Sequence, residues 1–369
     1  MVAVDADAEP YGPPVEIGGK QPPHRARPGF WALSLVALVG VVASVAVAVF
    51  VGPVLISPGG VLSAIWSGLL GLPATGSAQT DQVIVWSIRM PRALLAASVG
   101  AGLATVGVAM QAAVRNSLAD PYLLGTSSGA SLAAVLVIAG GLNFLPPVTL
   151  SIAAFVGALG AFTLVLAIGR ALGSPNPIGL VLAGVAVSYL LSGITSIVLF
   201  RSDPNAMRAV LFWEMGSFAG ATWPAVWIAV FALGLGGTIL LSRCWMLDGL
   251  VAGEETAASL GIEVGHLRRV LVVTTALMTG AFVAMSGPIG FIGLMVPHAA
   301  RSVVGVGHRR VLILSALVGA VIAVWADLAA RVLFAPEELP IGVITATCGG
   351  PAFLLLVLRS SRARWTSRS

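Results

Sequence analysis

Charged side chains are scarce in this 369-residue sequence. Asp, Glu, Lys and Arg together make up 9% of the residues, whereas soluble domains carry roughly 25%. Hydrophobic residues reach 57%, and the mean hydropathy is +0.98. The 44 glycines and 22 prolines are scattered through long Val, Leu and Ala runs, as is typical of membrane helices. The composition excludes a soluble globular protein and predicts an all-α polytopic membrane protein.

Lysine and cysteine are nearly absent, which excludes a P-loop in the first case and a disulfide framework or zinc site in the second. The only lysine, Lys20, is followed by Gln21, whereas a P-loop requires Gly-Lys-Ser/Thr. An ATP-driven activity would therefore need its motor on another subunit. The two cysteines, Cys244 and Cys348, lie far apart without metal-ligand spacing, which excludes a disulfide framework or zinc site. We expect no metal or cofactor in this chain.

The positive charge of the sequence comes almost entirely from arginine. The net charge is +5 and the isoelectric point is about 10. A nucleic-acid-binding surface would gather these arginines on one face, but here they punctuate hydrophobic runs. They are typical of topology determinants, so we expect a lipid bilayer rather than nucleic acid as the surroundings.

Ten apolar segments are long enough to be membrane spans. The first, from Phe30 to Val51, exceeds the 7–15 residues of a signal-peptide core and approaches the roughly 20 that cross a bilayer, so an uncleaved span is favoured over a signal peptide. Residues 1–28 are predicted to be a disordered cytoplasmic tail, 29–360 the transmembrane domain and 361–369 a second tail. The spans are predicted at 30–51, 92–113, 121–142, 147–171, 178–200, 223–242, 270–286, 288–304, 311–333 and 341–358.

The distribution of positive charge predicts the orientation. With the N-terminus inside, 15 of the 20 Lys and Arg residues fall on the cytoplasmic side, which agrees with the positive-inside rule. Both termini are then cytoplasmic, at the cell membrane. Spans two to five and seven to ten would run in opposite directions, so any internal duplication would be an inverted repeat. The residues left outside are Arg89, Arg92, Arg201, Arg208 and Arg331.

The segment 246–265 is a more polar stretch between two predicted spans, on the predicted cytoplasmic side. Gly253 precedes Glu254 and Glu255, and Gly261 follows Leu260. Acidic residues favour a helix N-terminus, so the pattern predicts about two turns of amphipathic helix that could contact a soluble partner. An ordinary loop between spans explains the pattern equally well.

Three arginines at the predicted outer face need an explanation, because positive charge is disfavoured on that side. Arg89 and Arg92 flank Pro91, and Arg331 precedes the outer loop 336–340. Their guanidinium groups could snorkel to water, or bind the carboxylates of an acidic partner. Asp327 is an intramembrane acid and could serve a proton relay. Its i,i+4 spacing from Arg331 favours a structural ion pair instead.

Two further stretches are rich in glycine. Residues 125–129 match the G-x-S-x-G nucleophile elbow, but that motif requires a strand before its helix and a His partner, so close helix packing is favoured over a hydrolase. The glycines and prolines of 287–301 should break a helix, which a membrane tolerates only where the freed backbone groups find partners. His298 and His308 lack further metal ligands nearby and are interpreted as structural.

These motifs together resemble the permease subunits of ABC importers for iron chelates, haem and cobalamin, the FecCD-type family. The resemblance covers roughly residues 30–358, and the motifs follow the family's order. Two positions depart from its pattern, Ser117 where proline is usual and Gly307 where an acid is common. The motifs are Arg-x-Pro-Arg from Arg89, Gln-x-x-x-Arg-Asn-x-Leu-Ala-x-Pro from Gln111, Gly-x-x-Gly-x-x-x-Pro-His-x-x-Arg from Gly290, Ala-Asp-x-x-Ala-Arg from Ala326 and Glu-Leu-Pro-x-Gly from Glu338.

The resemblance implies a type II ABC importer permease fold that works as a pair. The partners would be a second permease, identical or paralogous, two ATPase subunits that hold ATP and magnesium, and an extracytoplasmic substrate-binding protein. Residue by residue, it implies docking of the binding protein by Arg89, Arg92 and Arg331, and ATPase coupling by Gly253, Glu254, Glu255, Leu260 and Gly261. It implies a gate or pathway at Ser128, Pro175, Asn176, Trp213, Gly216, Ser217 and Thr345.

The sequence leaves alternatives open for both the cargo and the energy source. A ferric siderophore is the first expectation for the cargo, with haem or cobalamin as alternatives in the same system. A secondary transporter without an ATPase is a weaker alternative, because that class usually carries several intramembrane ionisable groups. An intramembrane enzyme lacks a recognisable metal or dyad signature, so no catalytic activity is expected in this chain.

Overall fold

The computed structural model describes residues 29–73, 75–140, 148–171 and 177–366. Within these ranges every regular element is helical. A π-helical turn, Val83–Arg89, joins α3 to α4, and a 3-10 turn, Pro121–Leu124, precedes α5. The helices are α1 Phe30–Phe50, α2 Pro58–Leu70, α3 Ser77–Gln82, α4 Met90–Val114, α5 Thr126–Ala139, α6 Val148–Ala171, α7 Pro177–Phe200, α8 Pro204–Glu214, α9 Trp223–Ser242, α10 Cys244–Ala252, α11 Glu254–Ser259, α12 Val264–Ser286, α13 Ile292–Val304, α14 His308–Val332 and α15 Ile341–Thr366.

Each of the ten predicted spans coincides with a helix. Seven helical stretches are long and apolar enough to cross a membrane: α1, the continuous stretch Ala78–Val114, α6, α7, α9, α12 and α14. Three are shorter apolar helices: α5, α13 and the part Ile341–Leu355 of α15. The all-helical membrane fold predicted from composition is therefore confirmed.

Several helix ends differ from the predicted ends of the spans. The third span begins at Thr126 rather than 121, because Gly125 adopts a left-handed φ of 73° after the 3-10 turn. The eighth begins at Ile292 rather than 288, because Gly287 and Phe291 both have positive φ. The last helix continues to Thr366, so residues 361–366 of the predicted tail are helical. The predicted tail 1–28 lies outside the described residues.

Tyr122 joins the two irregular segments that shorten α5 and α13. Its hydroxyl donates to the carbonyl of Ile289 at 3.0 Å and accepts from the amide of Ile289 at 2.8 Å. Gln111 adds a donor to the carbonyl of Leu294 at 3.2 Å. Backbone groups freed by a broken helix must find partners within a membrane protein, and these two side chains supply them.

Helix α4 is the centre of the fold and is buried along nearly its whole length. Glycines let its neighbours approach closely: Gly100 packs against Gly319 of α14, and Gly107 against Gly293 of α13. A Cβ on Gly100, Gly107 or Gly319 would overlap the facing backbone carbonyl. Gly129 of α5 meets Gly157 of α6 in the same way. The sequence prediction that small residues permit close helix packing is confirmed.

Helix α8 was not predicted, although its N-terminus carries a recognisable signal. Asp203 caps the helix by accepting from the amides of Asn205 at 2.9 Å and Ala206 at 3.0 Å. Pro204 occupies the first helical position, where its missing amide costs nothing. The helix therefore starts abruptly between the fifth and sixth spans and ends at Glu214, beside the residues predicted to form the pathway.

Candidate functional site

The three arginines predicted to dock a binding protein lie together and are buried. Arg89, Arg92 and Arg331 are 3%, 5% and 4% exposed. Their guanidinium groups do not reach water, as snorkelling would require. In this conformation they bind groups of their own chain.

Arg89 satisfies the C-terminal end of α1. Its Nη1 donates to the carbonyls of Val49 and Phe50, both at 3.1 Å, and its Nη2 donates to the carbonyl of Val54. The last carbonyls of a helix lack partners within the helix, so a guanidinium with five donors suits this position. Gly52 is needed beside it, because a Cβ there would overlap the guanidinium group.

Asp327 is the common partner of the other two arginines. Arg92 Nε donates to both carboxylate oxygens of Asp327, at 3.0 and 3.1 Å. Arg331 Nε lies 3.2 Å from Asp327 Oδ2 in an i,i+4 ion pair, and its Nη2 donates to the carbonyl of Ala48 at 3.2 Å. The structural pair expected from the spacing of Asp327 and Arg331 is therefore present, and it joins α1, α4 and α14.

Glu338 lies between this group and solvent. Arg92 Nη1 donates to Glu338 Oε2 at 2.8 Å, and the Glu338 side chain is 35% exposed. We call Arg89, Arg92, Asp327, Arg331 and Glu338 the outer ion cluster, after the membrane side on which the sequence analysis predicts it. With three guanidinium groups and two carboxylates, its formal charge is +1. A partner approaching from solvent would meet Glu338 before any of the arginines.

A backbone junction contains two of the predicted pathway residues, Gly216 and Ser217. The amide of Ser217 donates to the carbonyl of Ser286 at 2.8 Å, at the end of α12. The amide of Ile341 donates to the carbonyl of Gly216 at 3.0 Å, and that of Gly342 to Met215 at 2.9 Å. These bonds attach the segment after α8 to both α12 and α15. Gly216 has a φ of 71°, which favours glycine.

A cavity of about 430 Å³ lies at this junction. Trp213 and Thr345 do not line it, although each directly precedes a lining residue in the chain, and Thr345 lines a different cavity. Ser128, in the first turn of α5, does not line it either. Pro175 and Asn176 lie outside the described residues. The described residues that line the cavity are Tyr122, Glu214, Met215, Pro288, Gly290, Phe291, Gly342, Val343 and Ala346.

Glu214 in this lining was not singled out from the sequence. Burial raises the pKa of its carboxyl above the ordinary value, and the nearby side chain of Ser131 opposes that shift. The available signal was an acid between Trp213 and Met215 in an otherwise apolar segment. Its position beside Pro288 and Val343 depends on long-range packing, which the local sequence does not reveal.

The segment predicted to couple to an ATPase is helical, so the ordinary-loop alternative is wrong. Helix α11 begins after Gly253, at a φ of 131°, and Gly261 follows it at a φ of 78°. Ala257, within α11, is fully buried, whereas Leu260, directly after the helix, is 60% exposed. Glu254 Oε1 accepts from Arg268 Nη2 of α12 at 2.8 Å. The segment is thus amphipathic, as predicted, and attached to a span.

Helix α10 anchors the same segment to α14. Asp248 Oδ1 accepts from the backbone amide of His308 at 2.9 Å and lies 2.6 Å from His308 Nδ1. His308 is buried at the first position of α14. This contact supports its interpretation as a structural histidine, and its partner, 60 positions earlier, was not predicted.

Comparison with known proteins identifies the family. Residues 38–359 match the FecCD transport family. The cobalamin import system permease protein BtuC of Halobacterium salinarum is 42% identical over 76% of this chain and 75% of its own length. The hemin transport system permease protein HmuU of Yersinia pestis is 41% identical over 76% of this chain and 85% of its own length.

A solved structure shares the fold. It is described as an inward-facing conformation of a metal-chelate type ABC transporter, and it superposes with a TM-score of 0.76 at 30% identity. The superposition covers 89% of this chain and 98% of that chain.

The family match agrees with the composition and with the helices. A permease of this class hydrolyses no ATP itself and works with ATPase subunits and a binding protein, which is consistent with a chain whose only lysine is outside any P-loop. The chain, a multi-pass membrane protein, belongs to the FecCD transport family and is the permease subunit of an ABC importer.

Proposed function

We propose that this permease imports cobalamin or hemin, rather than the ferric siderophore that the resemblance placed first. The observation that carries the proposal is the 42% and 41% identity to permeases named for cobalamin and hemin, each over 76% of this chain. Both cargoes are metal complexes of tetrapyrrole-type macrocycles with polar peripheral groups. A pathway wall of glycine, apolar and few polar side chains would bind such cargo weakly and allow its release.

The cargo would pass the backbone junction. Trp213, Gly216, Ser217 and Thr345 would form the pathway, and Ser128, Pro175 and Asn176 the inner gate. Support comes from the hydrogen bonds that tie the segment 215–217 to the ends of α12 and α15. Because three elements share this junction, a rigid-body shift of one would be passed to the others and could open or close the cavity.

Two ATPase subunits would drive that shift through α11. The exposed Leu260 and the acidic residues Glu254 and Glu255 would contact the ATPase, and Gly253 and Gly261 would set the angles of the segment. The two anchors described above support this role, because they connect the segment to α12 through Arg268 and to α14 through His308. Movement of α11 would therefore reach two spans.

The binding protein would dock above the outer ion cluster. The +1 formal charge of the cluster suits an acidic partner surface, and guanidinium groups form strong charge-assisted bonds with carboxylates. In this conformation the arginines are buried, so docking through Arg89, Arg92 and Arg331 would require displacement of Glu338. A second permease, identical or paralogous, would complete the pathway. Both termini would be cytoplasmic.

Uptake into proteoliposomes tests the proposed cargo. The permease is reconstituted with the ATPase and binding protein from its own organism, and the uptake of cobalamin, hemin and a ferric siderophore is compared. We expect ATP-dependent accumulation of cobalamin or hemin. Accumulation of the siderophore alone would contradict the cargo assignment while leaving the permease role intact.

A further inference from the structure

We infer that Glu214 is a specificity-determining residue of this permease, which disfavours cargo that carries carboxylates and favours cargo that carries hydrogen-bond donors. The inference rests on the proposed function, since it treats the junction cavity as part of the cargo pathway. Applied to the two proposed cargoes, it selects a corrinoid with neutral carboxamides over hemin with its two propionates.

The lining of the cavity gives the first argument. Glu214 is the one formally charged side chain among the nine described lining residues. Most of the others offer apolar or backbone surface, and the hydroxyl of Tyr122 is already bonded to both the amide and the carbonyl of Ile289. No Lys, Arg or His among these nine supplies a counter-charge for an anionic cargo. A propionate in this cavity would therefore meet a like charge without compensation.

The bonding of Glu214 gives the second argument. A carboxylate can accept about four hydrogen bonds, and the nearby Ser131 side chain favours the ionised form of Glu214. Among the described residues Glu214 takes part in no ion pair. Its remaining acceptor capacity is available to a ligand, and the N–H groups of a carboxamide match it. Repulsion of a carboxylate and hydrogen bonding to a carboxamide therefore both favour the cargo that carries the carboxamide.

The position of Glu214 gives the third argument. It is the last residue of α8, and the next residue accepts the backbone bond from Gly342 of α15. The carboxylate is therefore attached to the junction rather than to a free loop. A group at such a position keeps its place relative to the cavity wall, as discrimination between related cargoes requires.

Two corrinoids that differ at one group provide the test: cobalamin and its derivative in which one peripheral carboxamide is hydrolysed to a carboxylate. Equilibrium binding to the permease–ATPase complex in nanodiscs is measured without binding protein at about pH 8, because the pKa of Glu214 is raised by burial and a high pH favours its ionised form. Empty nanodiscs give the lipid background. We expect wild type to prefer the amide by about tenfold and Glu214→Gln to reduce that preference to about twofold.

A matched variant separates charge from packing. Ser131→Ala removes the hydroxyl next to Glu214 and keeps the carboxylate, so the preference should persist. An unchanged preference in Glu214→Gln, an equal loss in both variants, or stronger binding of hemin than of cobalamin by wild type would each overturn the inference. Absence of both cobalamin and hemin binding in wild type would instead count against the proposed cargo.

Discussion

At the scale of single residues, Asp327 shows how an intramembrane acid can be structural. It is 1% exposed and shared by Arg92 and Arg331. Burial of one carboxylate between two guanidinium groups is stable only while all of them remain, because removing one member leaves an uncompensated charge in a low-dielectric site. The same arrangement makes a proton relay at Asp327 unnecessary to explain its presence.

Replacing Asp327 should therefore destabilise the fold. We expect Asp327→Asn to lower the free energy of unfolding by about 3–5 kcal/mol, measured by denaturant titration of the purified protein in detergent. Glu337→Gln is the matched control, since Glu337 is an exposed acid of the neighbouring loop and its change should cost little. Equal stability of the Asp327 variant and wild type would refute the shared ion pair.

The sequence predicts only one ion pair of the outer ion cluster. The pair Asp327–Arg331 follows from its i,i+4 spacing on one helix, but Arg92 lies 235 positions from Asp327. The carbonyls of Val49 and Ala48 that receive Arg89 and Arg331 carry no signal in the sequence at all. Burial of the arginines was missed for that reason: it depends on contacts between distant segments.

At the scale of elements, the loop between α14 and α15 covers the outer ion cluster. Glu338 in this loop bonds to Arg92 Nη1 and is about one-third exposed. It occupies the donor that a carboxylate of a docked binding protein would need. If docking uses Arg92, Glu338 competes with the partner.

Removing that competition should strengthen docking. We expect Glu338→Gln to raise the affinity for the binding protein a few-fold, because the charge-assisted bond of Arg92 becomes available. Surface-plasmon or interferometric titration against nanodisc-held permease measures the change, with Glu337→Gln as the neighbouring control. Weaker or unaltered binding, with normal stability, would remove Arg92 from the docking proposal.

The short helix α11 depends on the backbone of Gly253. Its φ of 131° is a conformation that L side chains rarely adopt, so a side chain there must alter the angle between α10 and α11. Gly265, within α12, has no neighbouring atom near an added Cβ. The two glycines differ in backbone strain rather than in chemistry.

This contrast allows a clean test of coupling. Gly253→Ala should reduce ATP hydrolysis stimulated by loaded binding protein several-fold, whereas Gly265→Ala should leave it near the wild-type rate. The measurement is phosphate release by the reconstituted complex, with basal hydrolysis recorded for both variants. Full stimulation in Gly253→Ala would speak against coupling through α11.

The order of elements was predictable, and their ends were not. Long apolar runs place all ten span helices, and Gly253 and Gly261 mark α11. The start of α5 at Thr126 was missed, because it depends on the left-handed φ of Gly125 and on the bond between Tyr122 and Ile289, 167 positions apart. The helix break before α13 was expected from the glycines and prolines of 287–301, but the start of α13 at Ile292 was not. Helix α8 was missed although Asp203 and Pro204 form an ordinary helix start.

At the scale of the whole molecule, α4 links the outer ion cluster to the start of α13. Its first turn holds Arg92 in the outer ion cluster, and its other end places Gln111 against the start of α13. Close glycine contacts with α13 and α14 run between these points. Tightly packed interfaces of this kind favour a few discrete arrangements over continuous deformation. The fold therefore suits a gate that an external motor switches between states.

The central claim is that this chain is a passive gate powered by other subunits. Cargo uptake and ATP hydrolysis are to be measured on the same proteoliposomes, containing the permease alone, or the permease with its ATPase and binding protein. The account predicts uptake and stimulated hydrolysis only in the complete system with ATP, and neither from the permease alone. Sustained cargo uptake or nucleotide hydrolysis by the permease alone would contradict it.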